Sequence, residues 1–281
     1  MREINLAYTE VGTGPAIVLL HGYPFDRSMW REQIDFLSAN GFRAIAPDLR
    51  GLGEMSDKLQ FVAAADHHEA KRQAEAYRTI TSMEDMARDV AALMDELRID
   101  HATICGLSMG GYVAFEFVDL FPTRVKALVL AGTRAPADNE QERQAREQQV
   151  DQMLAKGMNG IAEASLPKLL APRTHAEKPE VVALVREMIL RADPHGAAAA
   201  QRGMAARRDY SDDLAGIEVP TLVIVGRDDP IRPVADAEFM HARIPGSRLE
   251  IIEDAAHMTN MEQPSVFNQA LLGFLGLEVE S

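Results

Sequence analysis

Apolar residues are distributed along the 281-residue chain in two recurring patterns. The N-terminal stretch EINLAYTEVG alternates apolar with polar residues, as strands with one covered face do. The runs that follow are unbroken: AIVLL at 16–20, FRAIAP at 42–47, ATIC at 102–105, VKALVLAG at 125–132 and TLVIVG at 221–226. Strands buried on both faces have this character, which marks a parallel sheet. SRLEIIED at 247–254 adds a later strand pattern. Between the strands the period becomes helical. SMEDMARDVAALMDELRI puts Met83, Met86, Val90, Leu93, Met94 and Leu97 on one face, and Thr81 with Glu84 forms a capping box at its start. Strands alternating with helices imply crossover connections and an α/β fold.

That rhythm stops after LVLAGT and resumes at IEVPTLVIVG. The interval is rich in Ala, Gln, Glu and Arg and contains no strand pattern; about four helices are expected there, divided by Pro167, Pro172, Pro179 and Pro194. An all-helical insertion between two strands of a parallel sheet is a lid over the strand ends. The expected organisation is a core of residues 1–133 and 214–281 with a helical cap at 134–213. A second irregularity, residues 57–80, is too long for a bare connection and is expected to include a helix.

Charge and composition narrow the function. Net charge is −14, which leaves no basic excess for neutralising nucleic-acid phosphates. The one cysteine, Cys105, excludes an intrachain disulfide and a zinc cluster, and its apolar neighbours mark it as a core residue. No apolar run is long enough to cross a bilayer, and the N-terminus has no charged leader with a long apolar core. The expectation is a cytoplasmic protein with no membrane partner and no nucleic-acid partner.

Within HATICGLSMGGYVAFEF, Ser108 stands two residues from Gly106 and two from Gly110, between a strand pattern and a helical one. A residue at so sharp a strand-to-helix turn needs neighbours almost without side chains, and the turn lifts its hydroxyl clear of the sheet beside a helix N-terminus. That is the setting of a nucleophile. A serine hydroxyl needs a base, and the base a carboxylate to fix its tautomer. Among eight histidines, His257 alone combines a preceding strand pattern, small residues before it and a helical pattern after it. His67, His68, His175 and His195 read as solvent-exposed, with substrate contact as the alternative. For the acid, TLVIVGRDDPIRP offers Asp228 and Asp229; Asp229, three residues beyond Gly226, is chosen. The N–H groups of Met109, after the serine, and of Tyr23, where His21 and Gly22 end a buried strand, are the expected oxyanion donors. In the lid, Met153, Met158, Met188 and Met204 read as core or as lining of an adaptable apolar pocket. Arg134, just past a strand, is the cation best placed for an anionic substrate, or a solvated surface charge.

From LLHGYP to AAHMTNMEQP these residues resemble the α/β-hydrolase fold family. The oxyanion segment His21 to Tyr23, the DLRGLG turn at 48–53, the elbow Gly106 to Gly110, Asp229 and His257 occur in the family's order. The resemblance implies a mostly parallel eight-stranded sheet flanked by helices, with a helical cap inserted after the sixth strand. It also implies a serine hydrolase working through an acyl-enzyme, with no metal or organic cofactor. The SMGG elbow and the run HGYPFDRSMW are similar to the small esterase, 3-oxoadipate enol-lactonase and cofactor-free perhydrolase branch. Family members with an aspartate nucleophile dehalogenate alkanes or open epoxides, and Ser108 sets this chain apart from them. It departs from the family in Ala256, where glycine is usual before the histidine, and in the length of 57–80. The expected function is a carboxylesterase acting on a small-molecule ester. The alternatives are a lactone hydrolase, a perhydrolase (Pro24 follows the oxyanion segment), a carbon-carbon bond hydrolase, or a small-molecule receptor on the same fold. Oligomeric state is not readable.

Overall fold

The computed structural model describes residues 6–54 and 80–279. Its strands are β1 Tyr8–Val11, β2 Ala16–Leu20, β3 Arg43–Pro47, β4 Ala102–Leu107, β5 Val125–Ala131, β6 Thr221–Gly226 and β7 Arg248–Ile252. They form one sheet in the order β1-β3-β2-β4-β5-β6-β7. Only the β1–β3 pairing is antiparallel, with Tyr8 opposite Pro47 and Val11 opposite Ala44. Among the described residues the sheet has seven strands, not eight, and the helical interval follows the fifth of them. The described part of EINLAYTEVG forms the single strand β1, and residues 1–5 lie outside the description. The helix expected within 57–80 also lies outside it, apart from Ile80.

The helices are α1 Arg31–Ala39, α2 Met83–Glu96, α3 Met109–Leu120, α4 Glu140–Lys156, α5 Asn159–Leu169, α6 Pro172–Glu177, α7 Pro179–Arg191, α8 Pro194–Ala206, α9 Val234–His241, α10 Thr259–Glu262 and α11 Pro264–Val279. The unbroken apolar runs do lie between two helical layers: every residue of β4 and β6 is buried. Trp30 and Phe267 meet on one side of the sheet with ring centroids 6.0 Å apart. Cys105 is buried within β4, and burial pushes its thiol pKa up. The capping box of α2 is one residue later than expected. Ser82 caps the helix, taking the Asp85 N–H at 3.0 Å, while the buried Thr81 donates its N–H to Ala199 of α8 at 3.1 Å.

Five α-helices, α4 to α8, fill the described interval between β5 and β6 rather than about four. Pro172, Pro179 and Pro194 open helices, where proline's missing N–H costs nothing, but Pro167 lies inside α5. Helix α8 rests on core backbone. A methyl group built on Gly203 would stand 1.8 Å from the Thr81 carbonyl oxygen, and one on Gly196 1.8 Å from that of Gly51. No helix among the described residues is long and apolar enough to cross a membrane.

The chain runs from β2 to β3 on one side and returns to β4 on the other, so the loops leaving β2 and β4 diverge. A crevice opens at such a switch point beyond the carboxyl ends of the strands. Tyr23 follows β2 and Ser108 follows β4, so both fall at this crevice.

Candidate active site

Ser108 links β4 to α3 with φ 55° and ψ −111°, a strained backbone for a residue with a side chain. The turn is held from several sides. Ser108 N–H donates to Ala131 O at 2.8 Å, and its carbonyl accepts from the Thr133 hydroxyl at 2.9 Å. Two glycines permit it. A methyl on Gly106 would lie 2.2 Å from Gly110 O, and one on Gly110 2.1 Å from Leu20 O, both immovable backbone atoms. Met109 is the first residue of α3, so its N–H has no intrahelical acceptor and points out of the helix end.

His257 is buried in the turn between β7 and α10, and its ring rests against Gly132, where a methyl would meet Nδ1 and Cε1 at 3.5 Å. Its Nδ1 lies 2.7 Å from Asp229 Oδ2. An ionised carboxylate only accepts, so this bond assigns the proton to Nδ1 and leaves a lone pair on Nε2. The other Asp229 oxygen takes the N–H groups of Ile231 at 2.8 Å and Arg232 at 2.9 Å. Of the two acids after Gly226, Asp229 is the one buried against the histidine, whereas Asp228 is exposed.

Ser108, His257 and Tyr23 line one cavity of about 450 Å³. Its roof is supplied by α4, α5 and α8 through residues such as Arg146, Lys168 and Gln201, and its wall by Tyr112, Ile231 and Arg232. A larger cavity of about 810 Å³ beside Asp26, Arg27 and Arg191 contains neither Ser108 nor His257. The Tyr23 hydroxyl faces the Met153 sulfur at 3.7 Å, and burial pushes its pKa up.

Other expected contributors have different places. His21 is buried; Leu49 N–H donates to its Nε2 at 2.8 Å, and its Nδ1 faces Gly22 O at 2.9 Å. Burial lowers its pKa, and the backbone donor keeps Nε2 unprotonated, so the ring is a neutral tie between the end of β2 and the DLRGLG turn. His175 and His195 do not line the cavity, and His67 and His68 lie outside the described residues. All four methionines are buried; Met204 lines this cavity, Met188 lines the larger one, and Met153 and Met158 line neither. Arg134 is not the cation of the cavity. It pairs with Asp138 and Glu142, each at 2.8 Å, and Arg146 and Arg207 also pair with Asp138.

Three residues at the site escape a reading of motifs. Tyr112 lies one helical turn beyond Ser108, and Arg232 three residues beyond Asp229, so periodicity and loop position were the available signals. The third is Glu262, wholly buried, five residues after His257. Its Oε1 takes the N–H of Ala256 at 2.8 Å; its Oε2 takes the N–H of Ala171 at 2.6 Å and the Thr174 hydroxyl at 2.7 Å. Burial raises its pKa, against the pull of these donors. Nearby, Leu169 O accepts the N–H groups of both His257 and Met258 at 3.1 Å. The α5–α6 junction and the histidine turn are thus fastened together.

Comparison with known proteins agrees with this architecture. The chain is 31% identical to 3-oxoadipate enol-lactonase 2 of Acinetobacter baylyi over 96% of this chain and 92% of that protein. A thermophilic esterase from Thermogutta terrifontis, solved with malate bound, superposes with a TM-score of 0.87 at 38% identity, over 97% of this chain and 93% of that one. The enol-lactonase of Burkholderia xenovorans does so with a TM-score of 0.83 at 28% identity, over 96% of each chain. The alpha/beta hydrolase fold family matches residues 15–264, nearly the whole described chain. With the sheet order, the turn at Ser108 and these relatives in agreement, the chain belongs to the α/β-hydrolase fold family, as a hydrolase close to enol-lactonases and esterases.

Proposed function

We propose that the protein is a carboxylesterase that works through a covalent acyl-enzyme on Ser108. The buried Asp229–His257 pair, opening on the same cavity as the strained Ser108 turn, is the observation that carries this reading. Ser108 Oγ attacks the ester carbonyl carbon as His257 Nε2 takes the hydroxyl proton. Asp229 stabilises the imidazolium without itself becoming protonated. The carbonyl oxygen becomes an oxyanion received by the N–H groups of Met109 and Tyr23. When the tetrahedral intermediate collapses, the C–O bond to the alcohol breaks and His257 returns the proton to the leaving oxygen. Water then attacks the acyl-enzyme, losing a proton to His257. The acid departs and Ser108 Oγ recovers its hydrogen. Residues 134–213 act as a cap that closes the reacting atoms off from bulk water.

The enol-lactonase relatives favour a second reading, hydrolysis of a lactone. The steps are the same, with the leaving oxygen tethered to the acyl group. The test is turnover of a p-nitrophenyl ester series, acetate through octanoate, and of simple lactones by the wild type and Ser108→Ala. The wild type is expected to turn over repeatedly, and the variant to lose roughly four to six orders of magnitude in kcat. Equal activity in the two proteins overturns the reading.

A further inference from the structure

The cavity that holds Ser108 has a cation, Arg232, that forms no ion pair among the described residues. Arg232, half-buried in the wall, donates from Nε at 3.2 Å and Nη2 at 2.6 Å to the Tyr112 hydroxyl oxygen, and from Nη1 at 2.6 Å to its neighbour's carbonyl at Ile231. Among the described residues no carboxylate lies within 4.0 Å of its guanidinium, in contrast to Arg134, Arg146 and Arg207. Of the two acids on its own loop, Asp228 is exposed and forms no ion pair with it, and both oxygens of Asp229 are engaged by His257 and backbone N–H groups. Asp236 senses Arg232 but forms no ion pair with it; burial raises the Asp236 carboxyl against that pull. A guanidinium carries five N–H donors. The three bonds above leave one on each Nη free.

Tyr112 completes the arrangement. It is 1% exposed, and its oxygen accepts from Arg232, so its own O–H must point elsewhere; no acceptor for it is present among the described residues. Burial alone would raise its pKa, but the guanidinium charges of Arg232, Arg207 and Arg146 outweigh that and hold the phenol below its ordinary value. This hydroxyl is therefore a strong donor. Both side chains line the cavity, one following Ser108 on α3 and the other following Asp229. The exposed Lys168 also lines the cavity; Arg146, the third cation there, is paired with Asp138, and the cavity's own acids, Asp138 and Glu142, are neutralised by arginines. With a net charge of −14 the chain as a whole repels anions, so this is a local feature.

We propose that Arg232 and Tyr112 form a carboxylate-recognition subsite beside Ser108, selecting esters or lactones whose acyl part carries a second, free carboxylate, such as half-esters of short dicarboxylic acids. This rests on the reading of Ser108 as the nucleophile. The substrate's free carboxylate accepts from the two spare Nη hydrogens and the Tyr112 hydroxyl, which holds the ester carbonyl over the serine. Charge-assisted bonds of this kind give about ten- to hundredfold discrimination over an uncharged analogue.

The experiment compares kcat/KM for monomethyl succinate, glutarate and adipate with that for the corresponding dimethyl esters, in the wild type, Arg232→Gln, Arg232→Lys and Tyr112→Phe. The wild type is expected to favour the half-esters about tenfold or more, through KM. In Arg232→Gln the ratio should fall to about one or below, and Arg232→Lys should restore part of it. Tyr112→Phe should lower the ratio by a smaller factor. A wild-type ratio of one or less, or a ratio unchanged in Arg232→Gln, overturns the proposal. Calorimetric titration of Ser108→Ala with glutarate, with and without Arg232→Gln, separates the two readings. Glutarate binding that depends on Arg232 in a protein whose wild type hydrolyses no ester sustains the subsite and removes the esterase reading. Ser108-dependent hydrolysis with no half-ester preference does the reverse.

Discussion

Replacing Asp138 by asparagine removes one charge and keeps the shape, and the structure says what that costs. Three guanidiniums converge on this carboxylate, from Arg134 at 2.8 Å, Arg207 at 2.7 Å and Arg146. They would not suffer equally. Arg134 retains Glu142 at 2.8 Å, and Arg146, 17% exposed, retains Gln201 and access to water. The Arg207 side chain is 0% exposed and among the described residues keeps the carbonyls of Met204 and Pro136, each at 2.8 Å, and the face of Tyr112 at 4.1 Å, with the exposed Asp209 acting on it from beyond ion-pair distance. Stranding a buried charge costs about 3–5 kcal/mol. Because one arginine of three is stranded, the expected loss is about 3 kcal/mol, not a multiple of it. Urea unfolding at neutral pH reads this as a lower midpoint with an unchanged slope. Adding Arg207→Met should recover about 1 kcal/mol or more, since it removes the stranded charge. Acid gives an independent reading. Burial pulls the Asp138 carboxyl up, but Arg146 and Arg207 outweigh it and hold it well below the usual carboxylate range. Stability from a depressed carboxyl is complete above its unfolded pKa of about 4 and is lost as pH falls from there towards the folded value. The gap between wild type and Asp138→Asn should therefore narrow below about pH 4. A loss under about 1 kcal/mol at neutral pH, or a gap that stays constant on acidification, refutes this account.

Asp229→Asn should lower kcat by roughly four orders of magnitude with little change in KM, because an amide donor facing Nδ1 forces the wrong imidazole tautomer; steady-state kinetics on p-nitrophenyl acetate measures it. Gly110→Ala places a methyl 2.1 Å from Leu20 O, so either the start of α3 or the end of β2 must shift. A loss of about 1–3 kcal/mol in thermal unfolding, with a larger proportional loss of turnover, is expected. Glu262→Ala leaves the N–H groups of Ala171 and Ala256 unpaired in the interior. A cost of about 2–5 kcal/mol is expected in urea, and an unaltered midpoint would count against the described fastening.

Strands were legible because burial on both faces writes itself into unbroken apolar runs, as in TLVIVG, every residue of which is buried. The strained strand-to-helix turn at Ser108 was legible for a related reason: glycines at 106 and 110 are what so close an approach of backbone requires. What the sequence left open depended on tertiary partners. Thr81 with Glu84 and Ser82 with Asp85 are equivalent pairs on paper, and only the bond from Thr81 to α8 separates them. Arg134 and Arg232 each follow a strand. Which of them remains uncompensated was decided by Asp138 and Glu142, residues whose folding against Arg134 no periodicity announces. Pro167 resembled a helix divider but lies inside α5, two residues before its last, where it withholds the N–H that an ordinary residue would offer the Glu163 carbonyl.

Glu262 has a consequence for anyone who would recombine this protein with its relatives. Its two oxygens bind the root of α6 and the Ala256 N–H at once, and the Leu169 carbonyl takes the next two N–H groups, those of His257 and Met258. The helical interval is thus no interchangeable module. A chimera taking residues 140–206 from another hydrolase imports a new seat for His257, and the crossover points that preserve this fastening are those that carry 169–174 and 256–262 together from one parent.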